Sequence, residues 1–594
     1  MPSLLNLKYS LRSLKQNKFT LFINIFGFSV SLAFVIMIGL YINREYSVDD
    51  FHVDKERIFR IDQANVDEYT GFPIQFAEDL AAAFPEVDKI LRIVEGDVDI
   101  QIPTGERFVQ RVMFTDNSLF SVFSFDLKEG DAGSVLLTQK DIVLSETFAS
   151  RLFGSEPAIG KSLFMGADSM EYFTVSGVVR DFGNSHLVCP DVIMSLEYER
   201  NNKYMKPYYK GYQMWNSDTY VKAVRGSNLP SKQDEINDYF SKYTNALWSD
   251  TEKSNGAHIE VVPVTDIYFT GRCGDFGRCN DKDFLSVMIV TALLILIFAG
   301  INYLNMSVSQ SGFRAKSAAI QRLLGSSKGD MFWGFITESV GVCLVSGIIA
   351  ILLAWIAYPW FGRVMSADLA FGENVGWWGM VSFVVVILVI GTLSGWIPAT
   401  VISSFKPIEV ARGTLRRKTK TVYSKVLITF QYTITTILLG CTIIIARQID
   451  YMQNSDLGFD SENVIAFSYD RNNFTSRQSV EHTLRAIPGV ENVSSCSDFP
   501  TSVQNSFIYR DKEGVVRYVQ RFYADTNFVS VLGIPVLYEH VNNGYWFNET
   551  IAKRIGLTEE SLVYADNGIY ADVKGVVKDF HIHDFSHAID EVWT

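Results

Sequence analysis

The sequence predicts an integral membrane α-helical protein with α+β extracytoplasmic domains, built on a duplicated plan of membrane helix followed by outer domain. Three observations support this class. Five apolar segments are long enough to cross a bilayer. Two long segments outside them mix strand-like and helix-like patterns, and short phrases recur in the same order in both. We therefore expect five transmembrane helices and two related outer domains.

Each predicted span has about 20 mostly apolar residues, the number that crosses a hydrocarbon core at 1.5 Å per residue. The first span exceeds the apolar length of a signal peptide and lacks a small-residue cleavage site, so we interpret it as an uncleaved anchor. The predicted spans are 19–42, 284–306, 332–358, 377–398 and 423–446.

Clusters of basic residues flank the spans on one side, which predicts that this side is cytoplasmic. The N-terminus is then cytoplasmic, and 43–283 and 447–594 are the two outer domains. On the inner side we expect an amphipathic segment 1–18 at the lipid surface, a coupling loop 307–331 and a basic linker 399–422. The clusters are Lys8, Arg12, Lys15 and Lys18; Arg314, Lys316, Arg322 and Lys328; and Arg412, Arg416, Arg417, Lys418, Lys420 and Lys425.

Three phrases of the first outer segment return in the second. A repeat this long indicates a duplicated half-protein rather than a solenoid. The second copy ends soon after its third phrase, so we expect it to be C-terminally incomplete, with about three further spans in a complete duplication. The matching phrases are Asp116–Val122 with Asp525–Val531, Glu146–Arg151 with Glu549–Arg554, and Gly177–Phe182 with Gly575–Phe580.

Charge and cysteines restrict the partners. The formal net charge of −13 is carried by the outer segments, which argues against nucleic-acid binding. The basic inner segments favour contact with anionic membrane lipid. Cys273 and Cys279 are the one close cysteine pair and lie on the outer side, so a local disulfide is predicted there. A zinc site would need two further soft ligands nearby.

Two sequence patterns resemble catalytic or metal sites only superficially. Gly154 and Gly160-Lys161-Ser162 enclose five residues where a P-loop has four, and the second copy has no lysine at this position. We therefore expect no P-loop, catalytic residue or bound cofactor in this chain. The histidines His581, His583 and His587 could form a metal set, but the first copy shares only one, so a polar strand end is favoured.

Polar side chains inside the spans are costly in lipid and often functional. For these residues we favour hydrogen bonding between helices over a substrate path. They are Asn24, Asn302, Asn305, Gln431 and Glu338.

Several phrases, spread in order over nearly the whole chain, together resemble the MacB/FtsX family of ABC transporter permeases. The resemblance is to the double-length form with two MacB-like periplasmic core domains. The phrases are Glu45-Tyr-Ser-Val-Asp-Asp-Phe51-His52, Ile301-Asn-Tyr-Leu-Asn305, Arg322-Leu-Leu-Gly325-Ser, Glu338-Ser339, Gly395-Trp-Ile-Pro398-Ala399 and Leu457-Gly458-Phe459.

The resemblance implies a non-enzymatic permease in a bacterial inner membrane. A separate cytoplasmic ABC ATPase of the MacB/LolD type would supply ATP and Mg chemistry, and its motion would move the periplasmic domains for efflux or extraction at the outer face. A periplasmic adaptor or outer-membrane partner is compatible with this plan. Two alternatives stay open: an FtsX-like regulator of an envelope hydrolase, and a static membrane-anchored receptor or scaffold.

For the coupling step, our hypothesis is that 311–328 forms a short helical elbow that seats on the ATPase. Its inner location and its pattern of basic residues and glycine motivate this. The residues assigned to coupling are Arg314, Lys316, Arg322, Gly325 and Glu338.

Overall fold

A computed structural model of the 594-residue chain shows five long helices and two separate β-sheets. It describes residues 18–64, 71–102, 105, 107–166, 170–203, 205–211, 216–247, 258–323, 325–367, 377–403, 422–467, 477–497, 499–500, 506–510, 516–521, 523–540, 544–566, 569–582 and 592–593. The predicted segment 1–18 lies outside these residues except for Lys18, and so does 404–421 of the predicted linker 399–422.

The helices range from single turns to membrane length. In chain order they are α1 Lys18–Tyr46, α2 Ile74–Ala83, α3 Leu119–Val122, α4 Glu146–Phe153, α5 Leu196–Asn201, α6 Gln233–Leu247, α7 Val264–Ile267, α8 Lys282–Leu323, α9 Lys328–Val364, α10 Trp377–Ser403, α11 Val422–Asn454, α12 Arg477–Arg485, α13 Phe528–Val531 and α14 Glu549–Ile555.

The strands belong to two outer units. The first unit holds β1 Ile58–Ala64, β2 Val87–Gln101, β3 Arg107–Thr115, β4 Leu127–Glu129, β5 Asp141–Ser145, β6 Ser162–Gly166, β7 Glu171–Val179, β8 Val192–Ser195, β9 Asp218–Ala223 and β10 His258–Pro263. The second holds β11 Ser506–Arg510, β12 Val516–Arg521, β13 Val536–Glu539, β14 Tyr545–Asn548, β15 Val563–Asp566, β16 Ile569–Val577 and β17 Val592–Trp593.

The five predicted spans are confirmed as five helices of sufficient length and apolar character to cross a membrane. Helices α1, α8, α9 and α10 form a four-helix bundle in which α1 and α10 each contact both α8 and α9. Helix α11 contacts α8 and is exposed along most of its length. An exposed apolar helix surface of this kind is typical of a surface that contacts membrane lipid.

The second span does not end where the sequence suggested. Helix α8 continues past Met306 to Leu323 as one 42-residue helix, so the predicted loop 307–331 is wrong as far as Leu323, and the predicted elbow 311–328 does not form a separate short helix. No proline interrupts this stretch, and alanines favour helix. The helix stops before Gly325, whose φ of 100° disfavours other residues. A capping box between Ser327 and Asp330 then starts α9.

Helices α9 and α10 pack closely through small residues. A Cβ at Gly391 would lie 3.0 Å from the Val340 Cα, and one at Gly395 would lie 2.8 Å from the Ser339 Oγ. The Gly-x-x-x-Gly spacing places both glycines on one face of α10, where close backbone approach maximises dispersion contacts in lipid. This seam makes α9 and α10 a tightly fitted pair.

The first outer unit is inserted between α1 and α8. Its ten-stranded sheet has the order β10-β1-β9-β2-β3-β8-β5-β7-β4, with β6 pairing β2 and β7. Apolar side chains on both faces of the sheet are buried under short helices and loops. The sheet therefore forms the core of an α+β domain.

The second outer unit follows α11 and repeats part of this topology. Its order β11-β12-β17-β14-β16-β13 has the same pairing senses as β2-β3-β8-β5-β7-β4 of the first unit, and β15 pairs β16 as β6 pairs β7. The two units therefore share a fold as well as sequence phrases.

Individual hydrogen bonds repeat too. The Asp116 carboxylate accepts from the Arg92 main-chain N–H at 2.8 Å, and Asp525 accepts from the Ser495 N–H at 3.0 Å. Ser145 caps α4 as Asn548 caps α14. These repeated phrases thus mark positions that hold the fold together.

Candidate coupling site

The end of α1 and the start of α8 meet in a buried polar cluster beneath the first outer unit. Glu45 is 1% exposed. Its carboxylate accepts hydrogen bonds from Arg44 at 2.9 Å, from the Asn280 amide at 2.6 Å and from the Tyr268 hydroxyl. Because Asn280 also donates to the Tyr41 hydroxyl at 3.2 Å, the residues that lead into α8 are fastened directly to α1.

Asp49 lies just beyond α1 and fixes the chain to a loop of the outer unit. Its side chain has no exposed surface. The His186 Nδ1 lies 2.7 Å from one carboxylate oxygen, and the Ser185 hydroxyl donates to the other at 2.6 Å. The His186 main-chain N–H donates as well, at 3.1 Å, and the His52 Nε2 lies 3.4 Å away.

These partners decide the charge state of Asp49. Burial by itself would raise the pKa of the carboxyl, because it removes water from the charged form. The charge of His186 and hydrogen bonds from His186 and Ser185 outweigh burial and hold the pKa of Asp49 well below its usual range. Asp49 is therefore a buried anion held by several hydrogen bonds.

Arg278 connects the same loop to the approach of α8. Its main-chain N–H donates to the His186 carbonyl at 2.8 Å, and its Nε donates to the Ser185 carbonyl at 2.7 Å. Its guanidinium also reaches the Asn184 side chain at 3.1 Å. We call this set the outer junction; it consists of Arg44, Glu45, Asp49, Asn184, Ser185, His186, Tyr268, Arg278 and Asn280.

A series of buried polar side chains, in contact with one another, leads from the outer junction into the sheet. The His186 Nε2 lies 2.9 Å from the Tyr220 hydroxyl, which also interacts with Arg60. Burial raises the pKa of Tyr220, so the phenol stays protonated. Arg60 is fully buried, pairs with Asp62 at 2.6 Å and donates to the Arg272 carbonyl at 2.5 Å. These contacts therefore connect the outer junction to strands β1 and β9.

Cys273 and Cys279 form a disulfide in this region, with Cα atoms 5.3 Å apart. The loop between them packs beside His186 of the outer junction, since the Phe276 carbonyl accepts from the Val188 N–H at 2.8 Å and the Arg278 N–H donates to the His186 carbonyl. A closed loop of this length restricts the chain just before α8.

Asp275, inside the disulfide loop, predicts a pH-dependent stability. Burial, reinforced by the neighbouring Glu95 charge, raises the pKa of Asp275 to about 6. Because the pKa of Asp275 is higher in the folded chain than in the unfolded chain, its protonated carboxyl stabilises the folded state at pH values below the unfolded pKa. This stabilisation is lost as the pH rises through the folded pKa of about 6. Asp275→Asn should therefore raise the unfolding free energy at pH 7.5 by about 1–3 kcal/mol and change it little at pH 4.

Thermal unfolding of the detergent-solubilised chain between pH 4 and pH 8 checks this. Asp238→Asn, on the exposed face of α6, is the control and should follow the wild-type curve. A stabilisation by Asp275→Asn that is equal at both ends of the pH range would contradict the prediction.

At the opposite end of the bundle lie the residues assigned to coupling from the sequence. Arg314 and Lys316 are on the inner extension of α8, with side chains outside the described set, and Arg322 is in its last turn. Gly325 forms the turn, and Glu338 is part-buried in α9. The structure therefore places Arg314, Lys316, Arg322 and Gly325 on the inner end of α8 and its turn, with Glu338 about three turns further along in α9, and their role in coupling stays a prediction.

The structure describes the first superficial pattern of the sequence and only part of the second. Lys161 pairs with Glu156 at 2.7 Å in a surface turn. His583 and His587 lie outside the described residues, and within the described part no group of three potential ligands could hold a metal ion.

The outer junction is what sequence reasoning missed. Glu45 to His52 belongs to a phrase that carries the family resemblance, and His186 is the one histidine that the first copy shares with the histidine pattern of the second, but no feature of the sequence links the two segments. The signal present was the repeated Asp-Phe turn before His186, which marks a loop with a structural role in both units.

Together, the bundle, the inserted α+β unit and the junction define a membrane-spanning protein whose outer domain is attached to two adjacent helices. Residues 21–239 match the family described as MacB-like periplasmic core domain, and residues 289–407 match FtsX-like permease C-terminal. The chain belongs to the MacB/FtsX family of ABC transporter permeases, and its outer domain is periplasmic.

Named relatives agree with this family. The chain is 24% identical over 339 residues to the macrolide export ATP-binding/permease protein MacB of Chromobacterium violaceum, covering 55% of this chain and 45% of the relative. It is 31% identical over 118 residues to the protein of the same name from Hahella chejuensis, covering 20% and 18%. The chain thus spans less than half the length of these relatives.

Solved structures with similarity include a domain of a permease protein from Porphyromonas gingivalis, at 17% identity and a TM-score of 0.29, covering 40% of this chain and 99% of that one. Another is the periplasmic region of MacB from Actinobacillus actinomycetemcomitans, at 15% identity and a TM-score of 0.26, covering 35% and 89%.

Proposed function

We propose that this chain is a permease subunit that couples ATP hydrolysis by a separate cytoplasmic ATPase to movement of its periplasmic units. The output is efflux or extraction of a substrate at the outer face. In this arrangement the N-terminus and the α8–α9 turn are cytoplasmic, and both outer units are periplasmic. The chain itself acts as a mechanical transmitter, and the ATPase supplies ATP and Mg chemistry.

One observation carries the proposal: α8 is continuous from the basic inner segment to the outer junction. At 1.5 Å per residue, its 42 residues form a rod roughly 60 Å long. A shift applied at its inner end reaches the outer junction without an intervening loop. There, Asn280 and Arg278 pass the shift to α1 and to the outer unit.

The inner end of this rod suits a docking role. Arg314, Lys316 and Arg322 add positive charge, and the tight turn at Gly325 brings the start of α9 beside them. Glu338 lies a few turns into α9, near the base of the bundle. A partner that binds here biases one of two positions of α8 relative to α1, which is how a nucleotide-driven switch acts.

Charge reversal tests the docking. Arg314→Glu with Arg322→Glu should abolish co-purification of the cognate ATPase and lower its permease-stimulated ATP turnover by at least about tenfold, because like charges disfavour a specific interface by several kcal/mol. The control is Arg363→Glu, in the last turn of α9 at the opposite end of the bundle, which should leave both unchanged. Retained co-purification in the double variant would contradict the assigned docking surface.

Substrate movement is measured separately, in vesicles that contain the chain and its ATPase. Net transport supports an exporter. ATP-dependent activation of an envelope hydrolase without transport would instead indicate a regulator of the FtsX type.

A further inference from the structure

The first two spans are joined at their outer ends but contain an unusual polar pair near their inner ends. Helices α1 and α8 run antiparallel, since Asn280, just before α8, contacts Tyr41 and Glu45 near the end of α1. Deeper in the seam, a Cβ at Gly27 would lie 3.9 Å from the Asn302 Nδ2. Three residues further inward on each helix are Asn24 and Asn305, which therefore share one depth of the α1–α8 seam.

Among the described residues, neither of these amides has a hydrogen-bond partner for its oxygen. The Oδ1 atoms of Asn24 and Asn305 are buried, and neither accepts a hydrogen bond within the described part of the chain. Some other polar groups of the bundle are satisfied: Ser29 donates to the Ile25 carbonyl at 2.6 Å, and Tyr303 donates to Ser339 at 3.0 Å, whereas the Ser346 hydroxyl of α9 is also without a partner among the described residues. An unpaired amide in a hydrocarbon environment is costly, so two at one depth require an explanation.

We propose that Asn24 and Asn305 form a latch, with their side-chain amides bonding to each other in a second arrangement of α1 and α8. Each amide offers two N–H donors and one oxygen acceptor, so a mutual pair satisfies both orphan oxygens at once. In the present arrangement the latch is open. The inference rests on the proposed function, because the nucleotide-bound ATPase would select the closed arrangement.

The latch gives the second arrangement a specific stabilising contact. A ligand shifts a two-state equilibrium only through interactions that differ between the states. An amide pair that forms in one state and leaves two unpaired groups in the other provides such a difference. It lies on the same two helices that carry the outer junction.

Disulfide trapping tests the latch directly. In a chain whose free cysteines Cys189, Cys343, Cys441 and Cys496 are replaced, Asn24→Cys with Asn305→Cys should cross-link slowly in the isolated chain. With the ATPase held in its ATP-bound state, the rate should rise several-fold. The matched pair, Gly27→Cys with Asn302→Cys, should cross-link readily without nucleotide, because these positions already face each other.

Two results would overturn the latch. One is no cross-link between positions 24 and 305 in any condition. The other is a rate of cross-linking between positions 24 and 305 that is the same with and without nucleotide, although the ATPase binds the chain and hydrolyses ATP. If co-purification shows that the ATPase does not bind the chain at all, it is the proposed function that fails.

A second measurement needs no ATPase. Asn24→Leu and Asn305→Leu should each leave the unfolding temperature of the isolated chain unchanged or raised, since each removes a buried group without a partner. Their effects should add, because the amides do not interact in the open arrangement. Lowered unfolding temperatures with strong non-additivity would mean that the amides are already bonded at rest, or to another segment, and would overturn the latch.

Discussion

Asp49→Ala should destabilise the first outer unit by about 3–5 kcal/mol and uncouple it from the membrane helices. The substitution leaves His186, Ser185 and the His186 main-chain N–H buried without their shared acceptor, and removing one partner of a buried charge pair costs this much. Thermal unfolding of the solubilised chain at pH 7 measures the loss.

The neighbouring residue is the control. Asp50 pairs with Lys55 at 2.8 Å, but its side chain is 49% exposed, so Asp50→Asn should cost at most about 1 kcal/mol. Asp49→Asn keeps the shape of the side chain and should fall between the two. Equal effects of Asp49→Ala and Asp50→Asn would show that the buried cluster does not hold the junction.

Gly391→Leu should have the second largest effect, because it forces α10 away from α9. A Cβ alone at this position would lie 3.0 Å from the Val340 Cα, so a full leucine side chain has no room. Overpacking of this kind costs about 1–3 kcal/mol, or more where the backbone cannot move. The unfolding temperature in detergent should fall accordingly.

Gly341→Leu is the matched control, since no atom lies within 4 Å of a Cβ at that position of α9. Its unfolding temperature should stay near that of the wild type, apart from the ordinary change in helix propensity. A similar loss from both glycines would mean that the α9–α10 seam is not the tight contact.

Hydropathy and repeated phrases were sufficient to predict the architecture. Length and apolar character alone locate a membrane span, so all five spans were found, although α8 continues 17 residues beyond its predicted end at 306. The repeated Glu-Thr phrases begin α4 and α14, because each follows a residue whose side chain caps the helix. Local chemistry of this kind is readable from one sequence.

The outer junction could not be predicted from the sequence, because its contacts join distant parts of the chain. Asp49 meets His186 across 137 residues, and Tyr268 meets Glu45 across 223. The separate elbow failed for another reason. Basic residues were interpreted as a loop signal, although 307–323 contains no strong helix stop before Gly325.

The central claim is that motion of α1 and α8 drives the outer units. Electron–electron distance measurement tests it most directly, with spin labels at the exposed positions Leu137 and Leu562 of the two units and the chain in nanodiscs with its ATPase. We expect a distance change between the ADP-bound and ATP-bound states that Asp49→Asn diminishes while ATP turnover continues. An unchanged distance in the wild type during ATP turnover would contradict it.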